Sequence, residues 1–263
     1  PNPGPQEVFL STPADIAIYG GKPGGGKTFA LLFEGARHYA NPKYNGLIIR
    51  RIREDLTKIG GIWAASKSFY SPFKTKENNS DLVHTFPSGG VLGFGSMRDA
   101  TKDHERYKST EFDFVGFEEI FGEDGNGIEE HQFWFMWTLC RGAQRSHIKS
   151  YMRGTSNPGP SWLFHLLKGG GFVGEDGFAV ESMSGVIRWF YRDEDSDLML
   201  WFDSKEEAEK DIIDRGLDPK DTRPFSFTFI LASADDNPYQ DEDYTSKLSN
   251  LKRVERERQK YGN

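Results

Sequence analysis

Cysteine is almost missing from this chain. Cys140 stands alone among 263 residues, so no disulfide can close within the molecule, and such usage fits a reducing compartment. Cys140 itself reads as a small buried apolar residue. Histidine is also sparse, six in all and dispersed. His104-Glu105 and Glu130-His131 are neighbours without a matching partner, so no zinc-like spacing arises. No apolar run approaches the roughly eighteen residues that a transmembrane helix needs. Positive charge is in the minority, 33 Lys and Arg against 40 Asp and Glu for a net charge of −7. That argues against a surface that wraps nucleic acid throughout, while leaving room for a local basic lining. Repeats and low-complexity tracts are absent. The opening Pro1-Asn2-Pro3-Gly4-Pro5 is neither a signal peptide nor a natural initiator and reads as the start of an internal fragment.

What is present centres on Gly21-Lys22-Pro23-Gly24-Gly25-Gly26-Lys27-Thr28, which spells the G-x-x-x-x-G-K-T phosphate loop. Its context agrees. Ala14 to Tyr19 is short, apolar and β-prone, and Thr28 to Tyr39 opens as a helix. Glycines let backbone N–H groups approach phosphate oxygens, and the helix start adds free N–H groups and partial positive charge. In such a loop Lys27 reaches the β- and γ-phosphates, and the Thr28 hydroxyl binds Mg²⁺.

A second motif answers the first. Phe112 to Phe117 is an apolar strand ending in Glu118-Glu119, the Walker B pattern. The first acid holds Mg²⁺ directly or through water, and the second orients and activates the attacking water. The usual first acid is aspartate. Glu118 extends its carboxylate by about 1.5 Å, one C–C bond, which suits contact with the ion through water.

Elsewhere the chain alternates strands and helices. A short helix is expected at Gln6 to Leu10. Gln6 is either an adenine-edge reader or a solvated polar residue, and position alone favours the solvated one. Gly46 to Arg50 is a buried strand with Arg50, Arg51 and Arg53 at its end. These three either bind a DNA backbone or form a solvated face with local ion pairs. A helix at 61–70 and a hairpin of Asp81–Phe86 with Val91–Phe94 follow. Arg98 to Lys108 reads as an exposed loop or short helix. Ile128 to Leu139 is an aromatic-rich core helix. Ile148 to Thr155 is a strand ending in Thr155-Ser156-Asn157, which suits either a γ-phosphate sensor or an ordinary turn. Beyond it come a helix at Ser161–Leu167 and a glycine-rich connector at 169–177. Strands lie around Val186–Tyr191 and Phe225–Leu231, with an acidic helix at Ser204–Arg215 capped by Ser204 between them. Residues 241 to 261 read as a charged helix.

Together these stretches resemble the ATPase domain of the large terminase subunit of tailed bacteriophages. The similarity runs through Phe9 to Ile16, the phosphate loop, Leu47 to Arg51, Glu111 to Glu119, Thr155 to Gly159 and Asp236-Asn237-Pro238-Tyr239. The resemblance implies an ASCE-type P-loop NTPase, α/β in class, with a mainly parallel central sheet flanked by helices. Residues 1–232 would form that domain and residues 233–263 a small helical linker or lid. The family's nuclease domain is not expected in this chain, where Asp235-Asp236 and Asp241-Glu242-Asp243 read as a turn and a helix start.

Functionally it implies a motor that uses ATP and Mg²⁺ to package double-stranded DNA into a procapsid. Its partners would be a portal protein, a small terminase subunit and further copies of itself, in a ring usually of five that is a monomer in isolation. Its place would be the host cytoplasm, transiently docked on the procapsid. Gln6 then looks like the family's adenine reader, Lys22 like its γ-phosphate sensor and Thr155-Ser156-Asn157 like its coupling motif. The family's trans-acting arginine often falls where this chain has Lys108; Arg106, two residues upstream, is the expected finger, with Lys108, Arg98 and Arg141 as rivals, because a guanidinium forks onto phosphate oxygens as an ammonium cannot. Two other readings stand beside this one. A P-loop kinase would have little use for a carboxylate at Glu119, and a nucleotide-gated DNA-binding protein would bind ATP without hydrolysing it.

Overall fold

The computed structural model describes residues 1–21, 24–99, 102–121, 127–157, 159–232 and Asn237. Helix α1 (Pro5–Ser11) leads into β1 (Ile16–Gly21), α2 (Lys27–Ala36), β2 (Asn45–Arg50), α3 (Arg53–Thr57) and α4 (Ile62–Tyr70). Strands β3 (Lys76–Asn78), β4 (Val83–Thr85), β5 (Val91–Ser96) and β6 (Phe114–Phe117) follow, then α5 (Glu130–Leu139), α6 (Ala143–Ser146) and β7 (Tyr151–Ser156). The chain continues through α7 (Trp162–Gly169), β8 (Ile187–Arg192), β9 (Met199–Phe202), α8 (Lys205–Asp214) and β10 (Phe225–Ala232). A 3₁₀ turn at Asp103–Tyr107 occupies the stretch expected to be a loop or short helix. The expected helix at 241–261, and Lys22 and Pro23 of the phosphate loop, lie outside the described residues.

The ten strands among the described residues form one sheet in the order β3-β4-β5-β2-β6-β7-β1-β10-β8-β9. In that order the six from β5 to β10 run parallel, and antiparallel pairs extend both edges. Both faces of the parallel part are covered, which is why its strands read as nearly continuous apolar runs. Alternation divides them. Ile16, Ile18, Leu47 and Ile49 join Phe133, Met136 and Leu139 of α5 and Leu163, Leu166 and Leu167 of α7 in one core. Ile48, Phe114 and Tyr151 pack on the other face against Leu31 and Leu32 of α2, Leu56 of α3 and Trp63 of α4. There Ala17 and Tyr19 meet Phe9 of α1.

The expected aromatic core helix is α5, with Phe133 and Met136 fully buried. Ser161 and Ser204 both cap their helices, accepting from the N–H groups of Phe164 and Glu207. The Cys140 thiol is partly covered, and burial pushes its pKa well above the ordinary value. Two strands carry no signal in the sequence. In β3, Lys76-Glu77-Asn78 is exposed throughout, so no apolar residue marks it. In β9, Met199 to Phe202 is half-buried at every position, without the alternation that announces a strand.

Candidate active site

The phosphate loop leaves the carboxyl end of β1 and enters α2 at Lys27. Two of its glycines are required. Gly21 has φ +119°, and a Cβ there would lie 2.4 Å from the Ala232 carbonyl oxygen. Gly26 caps α2 in the left-handed region, and a Cβ would meet the Gln6 amide nitrogen at 3.0 Å. Lys27 Nζ donates to the Gly21 carbonyl at 3.0 Å. Burial lowers its pKa to about 8, opposed by the nearby Glu119 charge.

Parallel pairing sets the acids beside this loop. β7 lies between β1 and β6, and β6 ends where Glu118 and Glu119 begin. The Glu118 side chain is almost wholly buried, and one carboxylate oxygen accepts from the Thr28 hydroxyl at 3.1 Å. Burial raises its pKa, while Arg50 and the Thr28 hydrogen bond pull it back down. Glu119 sits in the left-handed region at φ 57°, which costs a non-glycine residue roughly 1–2 kcal/mol. β7 holds it there. Its N–H donates to Thr155 Oγ1 at 3.0 Å, its neighbour Ile120 donates to the Thr155 carbonyl at 2.8 Å, and Asn157 Nδ2 donates to its carboxylate at 3.2 Å. Thr155 and Asn157 thus fix the backbone and side chain of the second acid, and Ser156 Oγ accepts from Phe121.

A cavity of about 420 Å³ opens between loop and acids, lined by Gly24, Gly26, Lys27, Thr28, Phe29, Arg50, Glu118, Glu119 and Thr155 to Asn157, with Asn237. Lys27 and Glu119 therefore face one space from the two motifs.

Of the two readings that position left open for Gln6 the solvated one fails, and one expectation needs correction. Gln6 is not solvated: it is 4% exposed, its amide donates to the Gly26 carbonyl at 3.1 Å and its carbonyl accepts from the Asn2 N–H at 2.6 Å. The short helix α1 packs against α2 and turns that side chain inward. Nor do Arg50, Arg51 and Arg53 form one basic cluster for DNA. Arg50 turns into the cavity, donating to Glu118 at 3.0 Å and to Glu119, with Asp55 3.9 Å away. Arg51 donates to the Gly127 carbonyl and Glu129, and Arg53 to the Ser80 carbonyl. Carboxylates at the end of the neighbouring strand attract the first guanidinium more strongly than solvent does.

None of the four finger candidates lines the cavity. Arg98, Arg106, Lys108 and Arg141 are all exposed; Lys108 pairs with Glu105 at 2.6 Å and Arg141 with Glu111 at 3.5 Å. Asn237 belongs to a stretch the sequence marked without a role. Its Nδ2 donates to the Gly24 carbonyl at 2.8 Å, and its Oδ1 accepts from Asn2 at 3.2 Å.

A parallel sheet with a phosphate loop after β1, and an acid pair two strands away across β7, defines a P-loop NTPase of the ASCE type. Comparison with known proteins narrows the class. Residues 18–167 match the family model of the terminase large subunit, T4likevirus-type, N-terminal, and the chain belongs to that family. No curated protein is matched. Among solved structures, the large terminase of a thermophilic bacteriophage superposes with a TM-score of 0.60 at 14% identity, over 98% of this chain and 52% of that one. The same terminase in complex with ADP gives 0.58 at 13% identity, with coverages of 98% and 52%. The ATPase domain of the Thermus phage P74-26 large terminase gives 0.55 at 13%, over 97% of this chain and 91% of the other. The chain thus spans about half the length of the thermophilic phage's terminase.

Proposed function

We propose that this chain is the ATP-hydrolysing motor domain of a terminase that moves double-stranded DNA into a procapsid. The observation that carries the reading is the shared cavity: Lys27 from the phosphate loop and Glu119 from the end of β6 line one space, with Thr28 hydrogen-bonded to Glu118 beside them. Residues 1–232 are the ATPase domain in this reading, and 233–263 its linker or lid.

The donor set suits Mg²⁺. A hydroxyl and a carboxylate are hard oxygen ligands, and magnesium takes one or two of these plus phosphate and water rather than a protein cage. Among the described residues no group of three or more His, Cys, Asp or Glu side chains offers such a cage. When bound, the ion neutralises charge on the β- and γ-phosphate oxygens. Thr28 and Glu118 would hold it. Lys27 binds the same oxygens, and Lys22 is the expected γ-phosphate sensor. The Glu119 carboxylate accepts a proton from water as that water's oxygen bonds to the γ-phosphorus and the bond to ADP breaks. Thr155, Ser156 and Asn157 pass the change at Glu119 into β7. Gln6 is the candidate adenine reader.

A neighbouring subunit's Arg106, with Arg98, Lys108 and Arg141 as rivals, completes the site in trans within a ring of five. Arg51 and Arg53 remain the candidates for DNA contact. The portal protein and the small subunit are the expected partners, in the host cytoplasm. No helix of the described residues is long and apolar enough to cross a membrane.

The test is Glu119→Gln. It keeps ATP binding and lowers phosphate release at least about 100-fold, the scale of a positioned general base. Phosphate release by the parent protein without any acceptor separates this reading from a kinase. Undiminished turnover in the variant removes Glu119 from the role, and a parent that binds ATP without releasing phosphate favours a nucleotide-gated binder.

A further inference from the structure

Resting on the nucleotide reading above, we infer that Gln6, Tyr19 and Asn237 are positioning residues that aim the phosphate loop's N–H groups from behind. Three consecutive carbonyls of the loop have side-chain donors, each from a different part of the chain. The Gly24 carbonyl accepts from Asn237 Nδ2 at 2.8 Å, that of Gly25 from the Tyr19 hydroxyl at 2.9 Å, and that of Gly26 from Gln6 Nε2 at 3.1 Å. All peptide bonds among the described residues are trans, so the C=O and N–H of each plane point in opposite directions. A donor that fixes a carbonyl outward therefore turns the next residue's N–H, at Gly25, Gly26 and Lys27, to the opposite side, where an anion is cradled.

Glycine makes such pinning necessary. Gly24 and Gly26 have φ of +88° and +72°, and glycine loses more conformational freedom on ordering than any other residue. The Gly26 carbonyl is held by α2 as well, accepting from the Ala30 N–H at 3.0 Å, whereas the planes after Gly24 and Gly25 would otherwise sample many orientations. The pins have partners of their own. Tyr19 is fully buried on β1 and stacks on Phe9 at 5.2 Å. Gln6 is held by the Asn2 N–H, and Asn2 also donates to Asn237. This gives Gln6 work on phosphate, apart from any reading of the base.

That difference supplies the experiment. Binding of ATP, GTP and inorganic tripolyphosphate, each with Mg²⁺, is measured for the full chain and for Tyr19→Phe, Gln6→Ala and Asn237→Ala. Melting of the ligand-free proteins is followed in parallel. Each variant is expected to lose about 2- to 10-fold in affinity for all three ligands by the same factor, the scale of one hydrogen bond, with the melting midpoint little changed for Tyr19→Phe. Loss of ATP affinity alone, with tripolyphosphate binding intact, makes Gln6 a base reader and overturns the proposal for it. Unchanged tripolyphosphate affinity in all three variants overturns it entirely. A parent protein that binds none of the three ligands instead removes the nucleotide reading itself.

Discussion

Burial draws the Lys27 ammonium down to a pKa of about 8, against the pull of Glu119, so at pH 8 the free site holds about half a proton there. A triphosphate beside the amine favours its charged form, and binding then takes up the missing fraction. At pH 7, where Lys27 is already charged, uptake is small; at pH 8 it is about half a proton, and at pH 9 it approaches one. Affinity for MgATP accordingly falls as pH rises through 8. Calorimetric titrations in buffers of differing ionisation enthalpy, at the three pH values, read the uptake directly, and a flat profile would contradict a buried, phosphate-facing Lys27. The identity of that residue is legible in the sequence because the loop's spacing fixes which lysine faces phosphate. Arg50 is not legible in the same way: its position at a strand end is visible, but its turn toward Glu118 and Glu119 depends on β2 and β6 pairing side by side. The burial of Gln6, though not its candidacy, escapes for a related reason, since a single polar residue in a short helix carries no signal of the face it presents.

The elements that carry the two halves of the site are joined by buried charge. Glu34 on α2 is fully buried, and Arg153 on β7 nearly so, with the guanidinium 3.7 Å from the carboxylate. Arg153 also donates to the carbonyls of Ala14, Met152 and Thr12 and lies over the Tyr151 ring at 4.6 Å, while Arg37 makes a second pair with Glu34 at 2.6 Å. Removing one partner of a buried pair leaves an uncompensated charge and costs about 3–5 kcal/mol, whereas replacing both with apolar side chains of similar volume is often near neutral. Glu34→Ala is therefore expected to lower unfolding free energy by about 3 kcal/mol, and Glu34→Leu combined with Arg153→Met to recover most of it. Urea unfolding of Glu34→Ala, Glu34→Leu, Arg153→Met and the double variant against the parent decides; additive losses in the double variant would show that the pair is not the link. Most elements are legible at this scale, because the parallel strands are buried on both faces and helices follow them at regular spacing. β3 escapes because an exposed edge strand needs no apolar pattern, and β9 because its four apolar residues do not alternate.

At the scale of the whole molecule, the cavity holds a loop lysine, two acids and Thr155 to Asn157 but none of the four finger candidates. If the proposed finger comes from a neighbour, a single subunit lacks one stabiliser of charge in the transition state, which for an arginine finger is worth about 10³- to 10⁵-fold in turnover. Dilute protein should hydrolyse ATP slowly, and the rate per subunit should climb steeply with concentration as neighbours meet, more so on DNA. Mixing separates a trans contribution from assembly alone. Arg106→Ala keeps its own cavity but offers no finger, and Glu119→Gln offers a finger but cannot activate water. Each is nearly inactive alone; mixed in equal amounts they pair an intact cavity with an intact Arg106, and turnover returns to a substantial fraction of the parent's. If the mixture stays inactive while Lys108→Ala, Arg98→Ala or Arg141→Ala in place of Arg106→Ala complements, the finger is that residue instead. If no pairing complements and the rate per subunit ignores concentration, the site works within one chain, and Arg50, already on both acids, becomes the cation that serves it.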